Sequence, residues 1–431
     1  MSNTLVPIDQ YRDGDALSGK AGGPRIALYS HDTCGLGHLR RNLLAASVFA
    51  RGSLSARVLM ISGAAEARLF PTPDGVDCIT LPALAKGADG AYRSRSLGLG
   101  LEELLSLRAA TMRAALKSFR PDLLVVDKVP RGALGELDVL LADLRRAGRT
   151  RVVLGLRDIL DHPASVREEW QREDHESAIS RYYDEIWVYG DRRVYNVAGE
   201  YGFSDEISAK IRYTGYFDRR ISPIPTSDES DEDHEDLILC MVGGGQDGFG
   251  LAESFAVTTL PAGTRGVIIS GPFMPDERRA RLADLCNSRP DMELREFVSD
   301  PRPLIRGARR IVCMGGYNSM CEVLAHGTPT LVVPRVSPRK EQLVRAQCFR
   351  DLGLVDLCHP DLASPDVLRD WLARPANCNA TGAVERVDFN GLDRLPSLAA
   401  KVLQMGARRR NGGARGVSTA TVKRGQTRLG A

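Results

Sequence analysis

Short continuous apolar runs alternate with amphipathic stretches through most of this chain, from about residue 24 to 405. Residues 25–30 (RIALYS), 56–61, 121–127 (PDLLVVD), 151–156 and 185–189 (EIWVY) are too short for helices and show no polar alternation. That pattern predicts strands buried on both faces of a parallel sheet. Between them apolar residues recur at helical spacing, as in Leu39, Leu43, Leu44 and Val48, in the leucine-rich stretch 101–119 and in 133–147. Shorter strands are expected at 78–81 and 211–216, and a short helix at 66–70. A second series follows, with strands at 237–242, 267–270, 293–298, 311–314 and 330–333 and a short one near Leu354. Its helices are expected after Gly248, from Asn318, on to Leu352, at 365–373 and at 397–405, with 303–309 as a connection back to the strand at 311–314.

The series are separated by 222–236 (SPIPTSDESDEDHED), whose two prolines and dense acids read as a solvated linker. This divides the chain into 24–221 and 237–405, with a polar tail at 1–23. A second tail at 406–431 carries seven basic residues and no acid, and both are expected to be disordered. At 431 residues and 43% hydrophobic the chain can bury two cores. A net charge of +3 argues against a nucleic-acid surface as the main partner. There is no apolar run long enough to span a membrane and no opening signal segment, so a cytoplasmic location is expected. The nine cysteines form no CxxC pair and mostly sit in apolar runs, which suits free thiols in a reducing compartment.

Candidate chemistry concentrates in three glycine-rich turns from strand to helix. The first is Gly35-Leu-Gly37-His38, where N–H groups at a helix start favour negative charge and the dipole disfavours imidazolium. His38 is either a general base or a helix cap. The second, Gly243-Gly244-Gly245-Gln246-Asp-Gly248, formally satisfies G-x-G-x-x-G. A dinucleotide site would also need an acid ending the next strand, and that strand runs into Gly271-Pro272 instead. A phosphate cradle survives that objection. The third, Gly315-Gly316, opens a helix at Asn318 and Ser319 with Glu322 a turn inside. The loop after the following strand brings Arg339, Lys340, Glu341 and Gln342 to the same crevice. This unit suggests a ligand with phosphates and hydroxyls.

The pattern Gly-Gly, Ser319, Glu322, Gly-x-Pro at 327–329 and a polar pair with Gln342 resembles the nucleotide-sugar half of family 28 glycosyltransferases. These are the GT-B enzymes related to the lipid-linked N-acetylglucosaminyl transferase of peptidoglycan synthesis. The G-x-G-H-x-x-R turn at Gly35–Arg41 is similar to the N-terminal loop of such enzymes and of UDP-sugar hydrolases. The resemblance implies an α/β fold of two facing Rossmann-like domains, with an acceptor half first and a donor half second. It implies that Glu322 holds the ribose of a UDP-sugar and that Glu341 and Gln342 hold the sugar. It also implies that the loop with Gln246 meets the diphosphate, that Phe297 and Val298 flank the base, and that transfer to an acceptor hydroxyl inverts the anomeric carbon. The family commonly has Gln where this chain has Glu341.

Asp158, at a strand end in Arg157-Asp158-Ile-Leu-Asp161, could orient or replace His38, or serve a structural turn. The D-x-D triplets lie in the linker and the N-terminal tail, so no metal or other cofactor is expected. Arg93, Arg95, Arg108, Arg113 and Lys117 flank the leucines of 101–119, which allows a peripheral contact with anionic membrane or a helix that merely covers its sheet. The alternatives to transfer are a UDP-sugar hydrolase, an epimerase of the same fold, or a non-catalytic nucleotide-sugar-binding protein.

Overall fold

The computed structural model describes residues 22–31, 37–64, 67, 70, 72–86, 91–218, 220, 236–375 and 383–413. Nearly all of the expected 222–236 linker and of the N-terminal tail, Gly35, most of the 66–70 helix and residues 414–431 lie outside the described residues. In chain order the strands are β1 (Arg25–Ser30), β2 (Arg57–Ser62), β3 (Val76–Thr80), β4 (Leu84–Lys86), β5 (Tyr92–Ser94), β6 (Leu123–Asp127), β7 (Arg151–Arg157), β8 (Glu185–Tyr189) and β9 (Ile211–Tyr213). They continue with β10 (Leu237–Met241), β11 (Arg265–Ile269), β12 (Met292–Arg295), β13 (Arg310–Cys313), β14 (Thr330–Val332) and β15 (Asp356–Leu357). Seven form one sheet in the order β3-β2-β1-β6-β7-β8-β9, and six form another in the order β12-β11-β10-β13-β14-β15. Every pair in both sheets is parallel. The continuous apolar runs follow from that: β6, β8 and β10 are buried at every position.

This strand order locates the chemistry. In an open parallel sheet the ligand crevice lies where neighbouring strands send their connections to opposite faces. That point falls between β1 and β6 in the first sheet and between β10 and β13 in the second. Tyr29 is level with Val126 and Met241 with Cys313, so the His38 turn emerges beside Asp127 and the Gly243 loop beside Gly315.

The two halves share a core. One apolar cluster joins Phe49 and Trp187 of the first half to Met320 and Phe349 of the second, together with Leu395 and Val402. The last two belong to the C-terminal helix Gly391–Gly413, which returns to pack on the helix Gly37–Arg51. Between the halves lies a buried ion pair. Arg345 donates to both oxygens of Asp158 at 2.7 and 2.9 Å, and Tyr216 Oη and the Ile159 N–H donate to the same carboxylate. Arg345 also donates to Gly315 O at 2.9 Å, holding the third glycine turn to the first half.

Several elements differ from the pattern-based expectation. The hairpin β4–β5 and the helices Pro163–Arg172 and His175–Tyr182 were not foreseen. The strand expected over 293–298 stops at Arg295, because its partner β11 ends at Ile269 and turns away at Gly271. Arg108, expected on a solvent or membrane face, is fully buried and forms an ion pair with Glu136, while Arg113 pairs with Asp143. Four cysteines are buried, but Cys78, near the sheet edge on β3, is exposed.

Asp158 with Arg345 is the tie whose removal should be felt most. Arg345→Met leaves a carboxylate buried without its cation and should cost about 3–5 kcal/mol, seen as a lower midpoint in thermal unfolding. Asp158→Leu combined with Arg345→Met should recover most of that loss. A single variant that melts like the parent would contradict this role.

Candidate active site

His38 enters the cleft from the first turn of Gly37–Arg51, a helix start directly after β1. Its Nδ1 is 2.6 Å from Asp127 Oδ2, at the carboxyl end of β6. Asp127 is fully buried and also accepts two bonds from Arg41 Nη2 at 2.6 Å. Burial works to raise the Asp127 carboxyl, but Arg41 and His38 more than reverse it and hold it well below the usual carboxylate range. An ionised Asp127 accepts the Nδ1 proton and leaves the Nε2 lone pair of His38 free, the arrangement of a general base with an orienting carboxylate. Burial pushes the imidazole down to about 4; Asp127 pulls the other way, and Arg41 and Arg157 add to the lowering. His38 is therefore neutral at pH 7.

Arg41 is 1% exposed and lies between two aromatic faces, Tyr189 at 5.4 Å and Tyr317 at 5.5 Å. Tyr317 begins the helix of the third glycine turn, so the cation that steadies Asp127 also touches the opposite half. Two further contacts cross the cleft at this level. Asn318 Nδ2 donates to Gly37 O at 3.1 Å, and Arg40 Nη2 donates to Glu322 Oε1 at 3.0 Å.

The cleft wall brings together Gly37, His38, Gly243, Gly244, Gly245, Gln246, Phe297, Val298, Gly316, Asn318, Ser319, Glu322 and Gln342 from both halves. The helix Tyr317–His326 has no side-chain cap, and its first intrahelical bond runs from Met320 N to Gly316 O. The N–H groups of Tyr317, Asn318 and Ser319 thus have no helical acceptor, whereas that of Gly316 donates to Met314 O. The Gly243 loop needs its glycines: Gly245 has φ +94°, and a Cβ there would stand 2.3 Å from Ser270 O. Phe297 is 38% exposed and meets Phe70 edge to face at a centroid distance of 6.2 Å.

No protein-family model matches the chain. A curated relative, the UDP-N-acetylglucosamine–N-acetylmuramyl-(pentapeptide) pyrophosphoryl-undecaprenol N-acetylglucosamine transferase of Mannheimia succiniciproducens, is 28% identical over 82 residues. The matched stretch is 19% of this chain and 23% of that protein, under a quarter of the relative's length. Solved structures match much further. The glycotransferase of kitacinnamycin superposes with a TM-score of 0.59 at 18% identity, over 88% of this chain and 99% of that one. The calicheamicin glycosyltransferase gives 0.58 at 16% over 89% and 99%, and MurG of Acinetobacter baumannii gives 0.53 at 15% over 88% and 99%. The chain has the GT-B fold.

Within this GT-B cleft two sequence-based expectations need correction. Asp158 is 1% exposed and its carboxylate is occupied by Arg345, Tyr216 and the Ile159 N–H, so it faces the interdomain seam and cannot replace His38 as base. Glu341 is 3% exposed and is absent from the cleft wall. It pairs with Arg335, which lines the cleft beside Gln342 and donates its own N–H to Gln342 Oε1 at 3.0 Å. Asp127 and Arg335 were not singled out, and Arg40 and Arg41 were noted only as part of the glycine–His turn, without a role. An acid ending the apolar run LLVVD was the available signal for Asp127. Among the described residues no group of three or more His, Cys, Asp or Glu could hold a metal ion.

The electrostatics predict a measurable titration. Imidazole ¹⁵N resonances of His38, assigned through His38→Gln, should show an Nδ1–H tautomer at neutral pH and a midpoint near 4. A midpoint near the unperturbed value of about 6.5 would contradict a desolvated base.

Proposed function

We propose that this protein is an inverting glycosyltransferase that moves a hexose-type sugar from a nucleoside diphosphate sugar, UDP-sugar in preference, to an acceptor hydroxyl. The observation that carries it is the meeting, in one cleft, of an Asp127-oriented neutral His38 with a buried glutamate and an uncapped helix start. UDP is favoured by the motif resemblance and by the short stretch shared with a UDP-N-acetylglucosamine transferase.

In this reading Glu322 accepts hydrogen bonds from the ribose hydroxyls, which a carboxylate can do while keeping its bond to Arg40. Phe297 and Val298 flank the base. The diphosphate lies against the N–H groups of Tyr317 to Ser319 and the Gly243–Gly248 loop, where fixed dipoles meet the charge that grows as the leaving group departs. Gln342 and Arg335 orient the sugar, and Glu341 steadies Arg335 from behind. The acceptor oxygen forms a bond to the anomeric carbon as the bond from that carbon to the diphosphate oxygen breaks. His38 Nε2 takes the hydroxyl proton, and Asp127 compensates the imidazolium. The donor leaves as nucleoside diphosphate with the bonding electron pair, and no cofactor enters the step.

Two tests follow. A thermal-shift screen against UDP, dTDP, GDP, ADP and their common sugars in EDTA should show stabilisation by UDP and its sugars. Glu322→Ala should weaken UDP binding by about 1–3 kcal/mol; unchanged UDP affinity in that variant, or no shift with any nucleotide, sinks the donor site. A peripheral membrane contact is also proposed for the helix Leu101–Phe119, where Leu107 is 43% exposed and Lys117 faces solvent. No described helix is long and apolar enough to cross a membrane. The protein should sediment with anionic vesicles at low salt and not with neutral ones; equal recovery from both removes the contact.

A further inference from the structure

Lys128 follows the end of β6 and Arg157 is the last residue of its neighbour β7, on the first-half side of the cleft. Lys128 comes directly after Asp127, the partner of His38; Arg157 lines the cleft with His38 and Arg41, and Lys128, not itself part of the cleft wall, lies close enough to feel the charge of Arg157. Neither side chain makes a hydrogen bond or ion pair with any described residue, and Arg157 Nε is buried without an acceptor. That is unusual in this neighbourhood, because the carboxylates around them already have cations. Asp158 is bound by Arg345, Glu341 by Arg335, and Asp161 and Glu169 by Arg339 at 3.6 and 3.5 Å. Asp161 also accepts the Lys340 N–H at 2.8 Å.

Both cations are held where water compensates them poorly. Burial, then Arg157 and Arg339, lower the Lys128 ammonium to about 7, with Glu169 and Glu341 opposing. Burial lowers Arg157 to about 10, with Glu341 opposing and Arg345 and Arg41 adding. Lys128 also occupies a left-handed backbone position, φ +69°, held by its N–H to Gly155 O at 2.7 Å. A left-handed backbone is unfavourable for a lysine, and strain of this kind gathers at functional sites. An unpaired Arg157 guanidinium beside His38, with a lysine that gains its proton as an anion approaches, forms a receptor for negative charge.

We propose that Lys128 and Arg157 receive an anionic group, phosphate or carboxylate, carried by the acceptor next to the hydroxyl that His38 deprotonates. The inference rests on the reading of His38 as the base and names the substrate class for that site: an acidic acceptor rather than a neutral alcohol. Placement on β6 and β7 assigns the pair to the acceptor half, across the cleft from the diphosphate loops.

The test is calorimetric titration of inorganic phosphate, and separately of acetate, into the full chain saturated with UDP in EDTA, so that the diphosphate loops are filled. Saturable binding of either anion is expected, the stronger of the two naming phosphate or carboxylate. Lys128→Gln with Arg157→Gln should weaken that binding at least tenfold while UDP affinity stays within twofold. Unchanged anion affinity in the double variant, or no anion binding by the UDP-loaded parent, overturns the proposal. A preference for UDP-glucuronate over UDP-glucose that disappears in Arg157→Gln also overturns it, since the anion would then belong to the donor sugar. Failure of the parent to bind UDP would instead overturn the donor reading, and the UDP titration reads that separately.

Discussion

The buried carboxylate of Asp127 holds three things in place at once: the tautomer of His38, the guanidinium of Arg41, and through Arg41 the approach of the two halves. Arg41 spends its hydrogen bonds on Asp127 and its faces on Tyr189 and Tyr317, one ring from each half. The helix that carries His38 is thereby fixed against the helix that carries Glu322. A cleft built this way has His38 and its glycine loops positioned before any ligand arrives, and on the proposed function that is where electrostatic catalysis would draw its advantage.

The seam beside it follows the same logic. Arg345 with Asp158, Arg335 with Glu341, Arg339 with Asp161 and Arg40 with Glu322 all place a cation against an acid at the interdomain level. Buried pairs of this kind contribute little net stability, because desolvation offsets their attraction. Their effect is on specificity: a misaligned approach would strand several charges at once. Against this nearly neutralised background Lys128 and Arg157 stand out as charges left open.

Much of the architecture was legible in the chain because fully buried parallel strands leave continuous apolar runs, and because tight turns from strand to helix need glycine. The three glycine turns, Glu322 and Gln342 were readable for that reason, and the structure brings the described ones to one cleft. What escaped depends on which strand neighbours which. Asp127 ends a strand like any other acid until β6 is known to lie beside β1. Asp158 looked free because its partner, Arg345, is 187 residues away in the chain. Glu341 looked available because Arg335, six residues before it, gives no hint in the sequence that it folds back over the helix start. Local pattern marks where chemistry can occur, while long-range pairing decides which side chains remain free to perform it.

The most direct measurement is a crystal structure with UDP and a non-transferable 2-fluoro sugar nucleotide. The ribose hydroxyls should lie within hydrogen-bond distance of Glu322, the diphosphate against the N–H groups of Tyr317 to Ser319, and the anomeric carbon open toward His38 Nε2. A nucleotide bound elsewhere, or one in this cleft whose anomeric carbon faces away from His38, would contradict the account.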